Sequence, residues 1–154
     1  MFENFAQFIK LDKPLVIFDL EATGLVLSAD RIVEVAYKKL MPNGRVIEGH
    51  FLLNPEVEIS PEATEVHGIT NQQIANQPTF KDLSSELWGI FNNCYYAGFN
   101  ILKFDLPLLR REFLRMGMDF DYQDNQVIDA MIVYHYMEPR TLSNAYKYYC
   151  GKQL

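Results

Sequence analysis

Pro14-Leu15-Val16-Ile17-Phe18-Asp19-Leu20-Glu21-Ala22-Thr23-Gly24 is the stretch around which the chain is organised. Residues 15–18 are apolar and partly β-branched, and Thr23-Gly24 closes the run, which predicts a strand buried on both faces. Side chains alternate along a strand, so Asp19 and Glu21 point the same way, about 7 Å apart along the chain. Two like charges on one side of a central strand repel and lose solvation. A divalent cation is the natural compensation, because hard cations take carboxylate oxygens. The plain alternative ends the strand at Phe18 and leaves both acids in a solvated loop.

Outward from this stretch, the bulk properties narrow the class. A chain of 154 residues suits one domain with a sizeable core. Its apolar runs are short and interrupted by charge, so nothing spans a membrane. The N-terminus lacks a basic segment followed by an apolar one, so no signal peptide is expected. Cys94 and Cys150 are the two cysteines and form no Cys-x-x-Cys pair, which points to reduced thiols in the cytoplasm. A formal net charge of −6 argues against a general phosphate-binding surface. It does not exclude a nucleic-acid enzyme whose local charge is set by bound metal.

Before the central strand, Phe2, Phe5, Phe8 and Ile9 recur at helical spacing, giving an expected short helix or arm over residues 1–13. That aromatic arm is also a candidate homodimer contact. After it, residues 31–40 are β-rich, Met41-Pro42-Asn43-Gly44 is a hairpin signal, and residues 45–53 form the return strand. Three consecutive strands predict an antiparallel meander. Glu34, inside the second, reads as a structural acid with a partner. Ser60 and Pro61 open a short helix that Gly68 ends, and Thr70 or Asn71 caps another. Thr79 or Lys81-Asp82 opens a helix with Leu83, Leu87, Ile90 and Phe91 on one face. Residues 94–97 predict a further strand. Leu106, Leu109, Phe113 and Met116 mark the clearest helix, which Gly117 ends; Pro107 belongs in its first turn, placing Asp105 at or near the N-cap. Residues 127–133 predict a strand passing into a helix capped by Asp129. Thr141 opens a last helix containing Leu142, Ala145 and Tyr149, with Gly151 as its stop. The order is α/β with a mixed sheet.

Asp105 as a helix cap has a sufficient structural role, yet a capping carboxylate still has lone pairs for a metal. Arg110, Arg111, Arg115 and Lys103 read either as a solvated face or as a grip on a phosphate backbone.

These residues together carry a family resemblance. Asp19-Leu20-Glu21-Ala22-Thr23-Gly24 resembles the first exonuclease motif of the DnaQ-like DEDD superfamily, DNA polymerase III epsilon-subunit-like in type. Asp30-Arg31-Ile32-Val33-Glu34-Val35-Ala36 is similar to that family's second strand. Pro61-Glu62-Ala63-Thr64-Glu65-Val66-His67-Gly68-Ile69-Thr70 resembles its Pro-x-Ala-x-x-Val-His-Gly-Ile-Thr signature. Gly98-Phe99-Asn100 through Phe104-Asp105 resembles its second exonuclease motif, and Asp129 matches an acid after the fifth strand that is not a metal ligand. The match runs over residues 15 to about 142, with four motifs in the family's order. The resemblance implies an RNase H-like mixed β-sheet flanked by helices, forming a single domain over residues 1–154. It implies two Mg²⁺ or Mn²⁺ ions held by Asp19, Glu21 and Asp105, and hydrolysis of single-stranded nucleic acid from its 3′ end. Ala22, Thr23, Val66 and His67 would meet the terminal nucleotide, and Asn100 and Phe104 would shape the site around Asp105. His67 as a loop-capping histidine stays open. A polymerase subunit is an implied partner.

One part of the pattern is absent. The family's third motif is His-x-x-x-x-Asp, whereas His50, His67 and His135 are followed five residues on by Pro55, Gln72 and Arg140. Glu138 stands at the wrong place in the chain order to substitute. The expectation is a domain lacking its C-terminal helix and third motif, with little or no turnover by residues 1–154 alone. An RNA exonuclease of the RNase T or oligoribonuclease kind, and an inactive nucleic-acid or partner-binding module, are the alternatives.

Overall fold

The structure, a computed structural model, describes residues 10–122, 126–137 and 141–153. The aromatic arm of Phe2, Phe5 and Phe8, with the dimer contact expected of it, and Glu138 lie outside the described residues. Residues 10–13 form no helix.

Strand β1 (Leu15–Ala22) is the centre of a five-stranded sheet. It continues past Phe18, pairing Asp19 with Ala36, Leu20 with Val35 and Glu21 with Glu34. The loop alternative for the two acids is thereby overturned. Its antiparallel neighbour is β2 (Ile32–Leu40), followed by β3 (Val46–Leu52) across the hairpin at Gly44. On the other side lie β4 (Tyr95–Gly98) and β5 (Val127–Asp129), both running parallel in the order β3-β2-β1-β4-β5. The expected meander and mixed sheet are both present, and this is the arrangement an RNase H-like fold has.

Two long helices cover one face of the sheet. Helix α3 (Phe80–Phe91) starts at Thr79, whose side chain and that of Asp82 form a reciprocal capping box. Helix α4 (Asp105–Arg115) buries Leu106, Leu108, Leu109, Glu112 and Phe113. Against them stand Val16, Phe18, Leu20 and Ala22, the even positions of β1. Phe18 meets Phe91 edge to face at 5.0 Å, and Phe113 meets Phe80 and Phe120 at 5.2 Å each. Lys39 is drawn into this side, and its ammonium donates to the Gly89 and Ile90 carbonyls at the end of α3. Cations are favoured at such unsatisfied helix carbonyls.

The expectation that β1 is buried on both faces holds only at Leu15 and Val16. From Ile17 onward burial alternates, with Asp19 exposed and Glu21 half-buried on the second face. That face is open among the described residues: Lys38, His50 and Ile128 on it are exposed as well.

Between β3 and α3 come α1 (Pro61–His67), capped by Ser60, and α2 (Asn71–Ile74), capped by Thr70. Gly68 ends α1 at φ +76°, a left-handed conformation that only glycine enters at no steric cost. Ile59, Ile69 and Ile74 form a small second core with Val33. Helices α5 (Ala130–Met137) and α6 (Leu142–Cys150) complete the described chain, with Thr141 and Gly151 bounding α6 as expected. Their apolar residues are largely exposed, Leu142 and Tyr149 of α6 included.

Candidate active site

Alternation along β1 places Asp19 and Glu21 on the open face at the C-terminal end of the strand. A register shift between Glu21 and Ala22 makes Ala22 pair with Ile32, leaving Val33 as the extra residue. Bulges of this kind bend a strand and re-aim its side chains. Here the bulge lets Ala22 and Ile32 enter the main core while Val33 joins the core beneath α1 and α2.

Asp105 reaches the same place from α4. The pairing of β4 with β1 stops at Ile17 and Ala97, so beyond it β1 has an unpaired edge. The Leu20 amide on that edge donates to Asp105 Oδ1 at 2.9 Å. Gly98 permits the approach, because a Cβ there would stand 2.7 Å from the Phe18 carbonyl oxygen. The expected capping role of Asp105 is corrected: Phe104 is the N-cap residue, and no side chain caps the helix. The carboxylate is spent on a strand 85 residues away in sequence, a contact that local reading cannot see.

Electrostatics ties the three acids together. Burial pushes the Asp105 carboxyl up to about 7; the Leu20 amide opposes this, and the Asp19 and Glu21 charges add to it. Burial also raises Glu21, helped by Asp19, with His67 acting the other way. Asp19 is raised by burial and then by Glu34. All three carboxyls are held above their usual range, Glu21 and Asp105 in part by the others' charge, and carboxylates are the donors that a hard divalent cation takes. Among the described residues no three His, Cys, Asp or Glu side chains are grouped closely enough to hold an ion by themselves. An open set of this kind suits Mg²⁺ or Mn²⁺, which are held by one or two carboxylates, water and substrate phosphate.

The remaining expected site residues surround this set. The Thr23 hydroxyl is buried, donates to Asp30 Oδ1 at 2.7 Å and accepts from the Arg31 amide. It therefore shapes the loop after β1 and is not presented to solvent. The backbone carbonyl of Ala22 faces His67 Nε2 at 3.2 Å. Since His67 Nδ1 accepts from the Ile69 amide, Nε2 carries the proton and donates to Ala22. His67 thus performs the loop-holding role and brings α1 to the end of β1. Val66, beside it, is 84% exposed. Asn100 lies in a left-handed conformation at φ +63°, and its side-chain oxygen is buried with no partner. Phe104 is half-buried at the start of α4.

Asp129 and the arginines of α4 make tertiary contacts that their positions in the sequence do not show. Asp129 caps α5 through the Met131 amide as expected, but its carboxylate also accepts from the Asn100 and Leu102 amides, fixing the turn that leads to Asp105. The expected basic grip is mostly spent elsewhere. Arg111 donates to the Ser28 carbonyl, Arg115 and Arg31 converge on buried Glu112, and Arg110 faces Asp121. The spacing of Glu112, one turn beyond Leu108 on the apolar side of α4, places it on that face, but only the tertiary structure shows it buried.

Comparisons with known proteins point one way. A family model described as "Exonuclease" (RNase T type) matches residues 16–153. A DNA polymerase III subunit epsilon-like protein of Rhodobacter capsulatus is 34% identical over 128 residues, covering 80% of this chain and 18% of that protein. A PolC-type DNA polymerase III of Thermotoga petrophila is 32% identical over 107 residues, covering 69% of this chain and 8% of its own. The chain thus spans less than a fifth of these relatives' length. In fold it is similar to E. coli exonuclease I crystallised with a dT13 oligonucleotide, with a TM-score of 0.69 at 21% identity, over 83% of this chain and 30% of that one.

Proposed function

The chain belongs to the RNase T-type exonuclease family, and from that premise we propose that it engages the 3′ end of single-stranded DNA at Asp19, Glu21 and Asp105 for metal-dependent 3′-to-5′ hydrolysis. The observation that carries this reading is the hydrogen bond that ties Asp105 to Leu20, the residue between Asp19 and Glu21, with all three carboxyls raised by burial and by a neighbouring carboxylate. Such a set is costly unless a cation occupies it. Mg²⁺ or Mn²⁺ would supply a more acidic attacking water and neutralise charge on the phosphate and the leaving 3′ oxygen.

The chain's own residues do the rest. Asp19 and Glu21 orient oxygens from the open face, where a strand can approach. Asp105 is fixed by Leu20, so its carboxyl is held in place without needing to search rotamers. His67 anchors exposed Val66 near the end of β1, where it can cover the terminal nucleotide. The orphaned Asn100 oxygen offers an acceptor next to the α4 turn. DNA is favoured over RNA because the relatives carry DNA polymerase III names and the similar fold was solved with dT13. The relatives' names also support a polymerase as partner, and the free thiols of Cys94 and Cys150 support a reducing, cytoplasmic setting.

A second reading, a binding module without turnover, is favoured by one observation: no histidine here is followed five residues on by aspartate. A 5′-labelled single-stranded oligonucleotide with a free 3′ hydroxyl separates the two. The proposal expects Mn²⁺-dependent binding that a 3′ phosphate weakens, and slow removal of single nucleotides that Asp19→Asn abolishes. End-independent binding that needs no metal, without shortening, supports the module instead.

A further inference from the structure

The sheet register extends the acidic face beyond the three carboxyls. Glu34 on β2 stands directly opposite Glu21 on β1. One row along, Asp19 faces Ala36, and Ala36 faces His50 on β3. The small Ala36 side chain lies between Asp19 and His50, so all four ionisable groups share one uninterrupted patch. Within it, His50 Nε2 lies 2.6 Å from Glu34 Oε1.

As an isolated ion pair this contact explains little. Its histidine side chain is 57% exposed, and exposed pairs contribute only about 0–1 kcal/mol. Like charges placed directly opposite across two strands destabilise a sheet. Glu34 opposite Glu21 is therefore a cost in the bare protein, and it bears on Asp19 as well. A cation among these acids reverses the sign of that arrangement. A carboxylate just outside the ligands can then accept a hydrogen bond from ion-bound water, and such outer partners orient the ligands.

We propose that Glu34, held in place by His50, is an outer positioning carboxylate for the divalent ion at Asp19 and Glu21. His50 takes one oxygen of Glu34 and limits its rotamers, so the other is directed at water on the ion. This rests on the metal reading of the site given above, and it assigns His50 a role on β3 unrelated to a general base.

The test is Mn²⁺ titration of the full chain, by calorimetry and by the electron paramagnetic resonance of free Mn²⁺, with no substrate present. Wild type is expected to bind saturably and Asp19→Asn to lose that binding. Glu34→Ala is expected to weaken affinity about 10-fold, the lower end of the range for outer partners. Glu34→Gln, which preserves shape should the alanine variant misfold, weakens it too. His50→Ala has a smaller effect in the same direction, and His50→Gln, which can still donate to Glu34, restores wild-type affinity. A purely structural pair would shift the metal-free melting temperature and leave Mn²⁺ affinity alone, which overturns the inference while Asp19→Asn still upholds the metal site. Absence of saturable binding in wild type overturns both.

Discussion

The two faces of β1 differ in almost every physical respect. On the covered face, Val16, Phe18, Leu20 and Ala22 are buried against α3 and α4, and aromatic edges meet at 5.0 to 5.3 Å. On the open face, residues one position away are Ile17, Asp19 and Glu21, with Glu34 and His50 beside them. One face lowers the free energy of folding; the other spends some of it by crowding carboxylates. The period of two along a single strand lets eight residues do both. It also makes register decisive, because a slip of one residue would bury the acids and expose Phe18.

Substitutions on the two faces should separate accordingly. The largest effect on stability is expected from Phe113→Ala, which removes a ring packed against Phe80, Trp88 and Phe120. Chemical denaturation should show a loss of about 3–5 kcal/mol. A loss below about 1 kcal/mol would mean that the covered face is not the core described here.

Asp105 lies where the faces meet and gives the next effect, with the opposite sign. Its carboxyl is raised from 3.8 to about 7, so the folded chain binds that proton more tightly than the unfolded chain does. The stability this proton brings is complete below pH 4 and is lost as pH rises through about 7. Asp105→Asn keeps an acceptor for Leu20 and removes the charge. In the absence of metal it should flatten that pH dependence and raise stability at pH 8 by about 2 kcal/mol. Unfolding curves at pH 5 and pH 8 that are unchanged by the substitution would contradict the buried-acid account.

Thr79→Ala removes the α3 cap and should cost about 1 kcal/mol, again on the covered side. Smallest of all is Asp19→Asn. An exposed acid crowded by Glu21 and Glu34 contributes nothing favourable to the bare fold, so stability should change by less than about 0.5 kcal/mol. A large destabilisation there would erase the distinction between the faces.

Much of this division is legible in the sequence because it is local. Alternation put Asp19 and Glu21 together, Met41-Pro42-Asn43-Gly44 marked the hairpin, and Ser60, Thr70, Thr79 and Thr141 marked helix starts. What stayed hidden depends on contacts distant in sequence. Asp105 looked like a cap because its true partner, Leu20, is 85 residues away. Arg111 and Arg115 looked free because Ser28 and the burial of Glu112 are tertiary facts. Glu34 was read as an acid with a partner, and His50 is that partner, but only the register shows both beside Asp19 and Glu21. The openness of the second face was missed because residues 15–18 alone read as apolar throughout.

The central claim is that the open face is built to hold a divalent cation. It is tested most directly by Mn²⁺ titration of wild type beside Asp19→Asn, with unfolding measured on the same samples. The account predicts saturable binding to wild type, none to the variant, and equal stability of the two without metal. Equal Mn²⁺ binding by both proteins, or by neither, would contradict it.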